Sequence, residues 1–455
     1  MEIKTAIEQR FAEEVAALQG LLRIRSVTCP GENGTVFGQG AKDCLDHCLE
    51  LGRRMGFAAR DVDGYCGYVE YGDGDELVIV LGHLDVVPEG DGWTHPPYGA
   101  EIADGRLYGR GAIDDKGPMM AALYALRAVQ ACGVPLRRRV RILFGLNEET
   151  GSACVKHYVA SGQELPVMGF TPDGNFPIIN GEKGISTAMY TYPLLGGARS
   201  IRSFSGGTAL NMVPAAASAE LCWPASERGA VLALRAEGIT VEATDFGLRV
   251  TAAGRSAHGS MPEKGVNAIT RLASFLSRLP LDERSAAFAG AVARLYPQGT
   301  QGEALGVRLH DAASGDMVVN LATAKTENGA VTLGVNLRCP VTYGAEDFHG
   351  ALTAAMERAG FAEAAFRFEP PLYLPPEHEL IRTLQAVYEA ETGEPATLEV
   401  IGGGTYAKSM PNTVAFGPIF PGEPCLEHEP DEYITLESLR RCTEIYAAAI
   451  VALAT

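Results

Sequence analysis

Apolar residues at Ile7, Phe11, Val15, Leu18 and Leu22 recur every three or four positions, which predicts an amphipathic helix over residues 5–25. The period then changes. Leu77-Val78-Ile79-Val80-Leu81 is a short unbroken apolar run between polar turns, the pattern of a central strand buried on both faces. Residues 117–132 predict a helix, with Gly117-Pro118 at its start and Met119, Ala122, Leu123 and Leu126 on one side, and residues 140–146 predict a second central strand. Strands alternating with helices imply an α/β sheet with helices on its faces.

Near Gly181-Glu182-Lys183-Gly184 the character shifts to alternating segments at 185–192, 217–223 and 248–251, then a helix at 268–279. A similar set follows, with strands at 317–323 and 331–337 and a helix at 346–359. The expected architecture is therefore α/β: one domain with a mixed sheet and helices on both faces, carrying an inserted α+β domain of two βαβ-like halves. The boundaries expected are 1–183 and 372–455 for the first domain and 184–371 for the insert, with the Pro-rich stretch from Glu369 to Pro376 as the return. Helices near 377–391 and 436–453 flank the glycine run Gly402-Gly403-Gly404.

Composition narrows the function. A chain of 455 residues exceeds one ordinary core, in line with two domains. No apolar run approaches the roughly 20 residues that span a bilayer, and the first residues lack a signal-peptide core, so a soluble cytoplasmic protein without a membrane partner is expected. The net charge of −18 argues against a nucleic-acid partner, because phosphate contacts need clustered Lys and Arg. Ten cysteines form no CxxC pair, which fits free thiols in a reducing compartment better than a zinc finger.

Five short stretches carry candidate chemistry. His83 and Asp85, in Leu81-Gly82-His83-Leu84-Asp85, lie at the carboxyl end of a buried strand, where open α/β sheets place their sites. A ligand histidine gives its second N–H to an acceptor, and Asp85 is placed to be that acceptor; alone, this pair would read as a strand-end histidine in a turn. Gly109-Arg110-Gly111 through Asp114-Asp115-Lys116-Gly117 frames two carboxylates with glycines before a helix. A helix N-cap accounts for one Asp, but not for the whole frame. Glu148-Glu149 ends the second apolar strand, and adjacent like charges repel unless a cation or proton intervenes. Asp173, in Thr171-Pro172-Asp173-Gly174, and His428, in Glu427-His428-Glu429-Pro430, complete a mixed nitrogen and oxygen donor set of the kind Zn²⁺ accepts.

In combination these stretches resemble the M20 family of metallopeptidases, above all its bacterial PepV-like dipeptidase branch. Gly82-His83-Leu84-Asp85-Val86-Val87-Pro88, the Gly109–Gly117 segment and Asn147-Glu148-Glu149-Thr150-Gly151 are similar to its first three motifs. Ala257-His258-Gly259-Ser260 resembles its lid motif, and Gly402-Gly403-Gly404-Thr405-Tyr406-Ala407 and His428 with Asp431-Glu432 complete the set. The resemblance implies two divalent metal ions, zinc foremost and cobalt or manganese as alternatives. His83 and Asp173 would hold one ion, Glu149 and His428 the other, and Asp114 would bridge them, while Asp115 would not ligate. A hydroxide between the ions would be the nucleophile, Glu148 the general base and Asp85 the partner of His83. His258 would stabilise the oxyanion, and Arg338 would grip the terminal carboxylate of a small peptide, with Asn211, Gly403 and Thr405 as further substrate contacts.

Asp at 173, where acylases and carboxypeptidases of this kind more often carry Glu, favours a dipeptidase over the alternatives of an N-acyl-amino-acid deacylase or a carboxypeptidase. A non-catalytic metal-binding protein would be expected to lose the base or a ligand position, and all are present. The length of the insert, with a second half that resembles the lid of a partner subunit, implies a self-sufficient monomer.

Overall fold

The computed structural model describes residues 2–31, 34–194, 196–298 and 301–455, in two compact units. One comprises Met1–Gly181, Leu374–Glu399 and Gly404–Thr455; the other comprises Glu182–Tyr373 and Val400–Gly403.

The first unit is organised by Leu77–His83, buried along its whole length. Its side chains alternate in destination: Val78 and Val80 enter one core, Ile79 and Leu81 a second core on the opposite face. The neighbouring strand Arg139–Gly145 does the same, with Val140, Ile142 and Phe144 on one side and Leu143 on the other. The order across the sheet is Ala58–Val62, Cys66–Tyr71, Arg139–Gly145, Leu77–His83, Met168–Thr171, Thr413–Ala415, Ile178–Glu182. The central pairings are parallel and the outer ones antiparallel, so the sheet is mixed. Helices Lys116–Ala131 and Leu436–Ala454 cover the first face, and Ala153–Ala160 contributes Cys154, Val155 and Tyr158 to the second.

The N-terminal segment differs from the sequence expectation. The predicted N-terminal helix is two helices, Ile3–Glu8 and Phe11–Leu22. Arg10 lies at the break, and its guanidinium donates to the Ala6 carbonyl at 2.9 Å, serving an acceptor that the first helix leaves open at its end. Cys44 and Cys48, four positions apart in a helical pattern, share the buried face of a helix that spans Gln39–Arg54, together with Leu45 and Leu49. All ten cysteines are free thiols.

The main sheet of the second unit is antiparallel, in the order Ile239–Ala243, Gly247–Ala253, Ala216–Cys222, Ser200–Gly206, Val318–Glu327, Ala330–Cys339, Gly184–Pro193, Ala362–Glu369. Val331, Leu333, Val335 and Leu337 point to one face and pack with helices Ala268–Leu276, Glu283–Leu295 and His349–Arg358. The two groups of strands meet at Ser200–Gly206 and Val318–Glu327, where the ladder reduces to the pair Gly206 and Ala324. Thr326 closes the gap: its hydroxyl accepts from the Phe204 amide at 2.8 Å and donates to the Phe204 carbonyl at 2.9 Å. Among the described residues no helix is long and apolar enough to cross a membrane.

Candidate metal centre

The parallel strands of the first unit end together, and their carboxyl ends and following loops bring the candidate residues into one cleft. His83 is the last residue of its strand and is fully buried. Its Nε2 lies 2.9 Å from Asp114 Oδ1 and 3.8 Å from Asp173 Oδ2. On the other side, His428 Nε2 lies 3.1 Å from Asp114 Oδ2 and 3.1 Å from Glu149 Oε2. One carboxylate therefore stands between two imidazoles, each with its own second carboxylate. Donor atoms of His83, Asp114 and Glu149 all fall within 4.8 Å of one another, close enough to share a metal ion.

Asp85 plays a broader part than its sequence position suggests. The nearest acceptor for His83 Nδ1 is the Asp85 main-chain carbonyl at 2.8 Å, with carboxylate Oδ1 farther off at 3.5 Å. The Asp85 carboxylate instead accepts the amides of Glu148 at 3.0 Å and Glu149 at 3.3 Å. It thus fixes the loop from which both glutamates project.

Asp114 and Asp115 separate cleanly. The Asp115 carboxylate turns beneath the strand, fully buried, and accepts the His83 amide at 3.1 Å. Gly82 is required there, since a Cβ at that position would collide with Asp115 Oδ2 and Met119 Sδ.

The electrostatics describe a site crowded with carboxylates. Burial pushes Glu148 up to about 8, with Glu149 and Asp114 adding to the rise and His83 opposing it. Burial likewise lifts Asp173 well above its ordinary range, and Asp114 reinforces the shift. His428 is raised to about 11 by hydrogen bonds to Asp114 and Glu149. Glu149 Oε1 is buried and has no hydrogen-bond partner among the described residues, a costly state for a carboxylate oxygen that a cation would relieve.

Tyr406 gains a place that its motif does not announce. It is buried beneath the cleft, its ring edge-on to His83 at a centroid distance of 6.0 Å and its hydroxyl 2.9 Å from Cys154 Sγ. The sequence signal is slight: Gly145, at the end of the second strand, where a Cβ would collide with that hydroxyl.

The second unit gathers the expected lid residues. His258 Nδ1 lies 2.6 Å from Ser260 Oγ, and the Gly259 amide donates to the Asn211 carbonyl at 2.6 Å. Ser260 also packs on Gly402, where an added Cβ would approach the serine Cβ to 2.7 Å. Arg338 is buried and donates to the Gly402 carbonyl at 2.8 Å and to Asn336 Oδ1 at 3.0 Å. Gly403 follows in the same unit, whereas Thr405 belongs to the first, where its hydroxyl accepts from the Ala407 amide at 3.1 Å.

Comparison with known proteins agrees with this architecture. Two solved structures share the fold: an M20 family metallo-carboxypeptidase, Sso-CP2, from Sulfolobus solfataricus, and human carnosine dipeptidase 1. The first has a TM-score of 0.58 at 17% identity, covering 96% of this chain and 98% of that one. The second has a TM-score of 0.57 at 17% identity, covering 99% and 98%. A Bacillus subtilis protein named "Putative dipeptidase YtjP" is 42% identical over 451 residues, 96% of each chain. Residues 79–452 match the profile of peptidase family M20/M25/M40, and with that match the chain belongs to this family.

Proposed function

We propose that this chain is a dipeptidase that binds two divalent metal ions, zinc in the first instance and cobalt or manganese as alternatives, and cleaves dipeptides with free termini. The observation that carries the reading is the position of Asp114, with one oxygen 2.9 Å from His83 Nε2 and the other 3.1 Å from His428 Nε2. His83 and Asp173 would hold one ion, Glu149 and His428 the other, and Asp114 both. The mixed imidazole and carboxylate donors suit zinc, and the buried unpartnered oxygen of Glu149 suits a cation. The ions would supply an activated water and polarise the scissile carbonyl. Glu148, its amide held by the Asp85 carboxylate, would take the proton of that water and pass it to the leaving amine. Asp85 keeps His83 in place through its carbonyl. His258, anchored by Ser260, is assigned to the oxyanion and Arg338 to the substrate carboxylate, with Asn211, Gly403 and Thr405 nearby in role.

The dipeptidase reading over deacylase or carboxypeptidase draws on Asp173 and on the name of the 42% identical relative. It is tested by measuring kcat/KM for free dipeptides, C-terminally amidated dipeptides and N-acyl amino acids with each metal. Amidation is expected to lower kcat/KM roughly 30- to several-thousand-fold, the equivalent of losing a buried charge pair. An unchanged rate removes Arg338 from substrate binding, and faster turnover of N-acyl amino acids favours the deacylase.

The domain boundaries 1–183, 184–371 and 372–455 fit an inserted lid long enough to serve the metals of its own chain, and we assign a self-sufficient monomer. Mixing inactive Glu148→Ala and His258→Ala proteins is expected to restore no activity. Recovery on mixing would place His258 in the site of a second subunit. The ten free thiols are in keeping with a reducing, cytoplasmic setting.

A further inference from the structure

The two loops that present Asp114 and His428 are joined behind the metal centre by one buried ion pair. Arg110 is 1% exposed and Glu432 fully buried, and Arg110 Nη1 donates to Glu432 Oε2 at 2.6 Å. The second oxygen of Glu432 accepts the amide of Ile113 at 2.9 Å and that of Asp114 itself at 3.3 Å. From the other end of the pair, Arg110 Nη2 donates to the carbonyl of His428 at 3.2 Å, and Nη1 to that of Glu429 at 3.3 Å. The Trp93 ring covers the guanidinium at 5.1 Å. The pair thus holds the backbone of both residues whose side chains meet at 3.1 Å in the centre.

His428 needs such a hold. Its φ of +67° is left-handed, a conformation that a non-glycine residue keeps only when its surroundings enforce it. A hydrogen bond from a rigid planar guanidinium to its own carbonyl is such an enforcement. Moreover, a buried ion pair commonly contributes little net stability beside apolar side chains of the same volume, so folding alone is a weak reason for this one.

We propose that Arg110 and Glu432 are positioning residues: they set the spacing of Asp114 and His428, and with it the affinity for the ion held by Glu149 and His428. The inference rests on the two-metal reading above. The test is the double variant Arg110→Met/Glu432→Gln, which removes both charges and leaves neither buried alone. Metal-free wild type and variant are titrated with Zn²⁺ against a chromophoric chelator, and thermal unfolding of the metal-free proteins checks the fold. Wild type is expected to take up two ions. The variant is expected to bind one within about threefold of the wild-type affinity and the other roughly 10- to 100-fold more weakly, the range for loss of a residue that orients a ligand. Co²⁺ absorption should correspondingly saturate in two well-separated steps. Two ions at wild-type affinity in a folded variant overturn the proposal, and so does equal weakening of both. Should the double variant not fold, Arg110→Lys replaces it. Lysine keeps the charge facing Glu432 but cannot span the carbonyls, so the same selective loss is expected and unchanged binding of both ions is decisive against the clamp. Uptake of fewer than two ions by wild type counts instead against the two-metal reading itself.

Discussion

Asp114→Ala is expected to lose both metal ions and to cut dipeptide hydrolysis by roughly a thousandfold or more, while Asp115→Asn keeps both ions and stays within about tenfold of wild type. The two residues are adjacent in sequence and opposite in placement. Asp114 faces the cleft with an oxygen toward each imidazole, 2.9 Å from His83 and 3.1 Å from His428, whereas Glu149, the other carboxylate near both, pairs with His428. Asp115 faces away, and its task is to accept the His83 amide beneath the strand. Asparagine preserves that acceptor. Alanine would leave a buried amide unsatisfied, at a cost of about 1–3 kcal/mol in stability, without touching a ligand. Metal content after gel filtration, read beside hydrolysis rates, separates the two. If both variants lost their ions alike, or if only Asp115→Asn did, Asp114 would not be the bridge.

The difference between these neighbours marks how far the sequence can be read. The strand Leu77–His83 is legible because both of its faces are buried, and burial on both faces is what a short run without polar interruption requires. The glycine frame around Asp114 and Asp115 points to a special backbone. The choice between the two carboxylates comes from family resemblance, since spacing alone favours neither. What stays hidden is chiefly long-range. Arg110 and Glu432 are separated by 322 positions, and no local pattern announces their contact. The Asp85 carboxylate is expected on His83, but the fold brings the Glu148 loop over it, and two amides offer it better partners. In the second unit, the edge strands Ile239–Ala243 and Ala362–Glu369 are largely exposed, and their apolar alternation is confined to Ile239 with Val241 and Phe366 with Phe368, a short signal. The helix Glu283–Leu295 does carry a local signal, absent from the elements expected above: Asp282 caps it by accepting the Ser285 amide at 2.8 Å, and Phe288, Val292 and Leu295 follow at helical spacing.

Glu148 carries the second large prediction. Glu148 and Glu149 are successive residues on one loop, both amides tied to Asp85, yet their side chains face different company. Glu149 reaches His428 at 3.1 Å, as a ligand of the same ion would. Glu148 has no such partner among the metal-site histidines, and burial among neighbouring carboxylates lifts it to about 8, where it both accepts and releases a proton near neutral pH. Bound cations would draw that value down toward the ordinary carboxylate range. Glu148→Ala is therefore expected to lower kcat by roughly 10²- to 10⁴-fold, the usual worth of a positioned general base, with both metal ions retained. The sign of the pH dependence follows. The base acts only when deprotonated, so wild-type kcat falls as pH drops through the Glu148 pKa, and that acidic limb should vanish in the variant. Metal analysis and a pH profile on the same preparations decide the matter. Loss of an ion with Glu148 would exchange the roles of the two glutamates, and an acidic limb that persisted in Glu148→Ala would assign the proton transfer to another group.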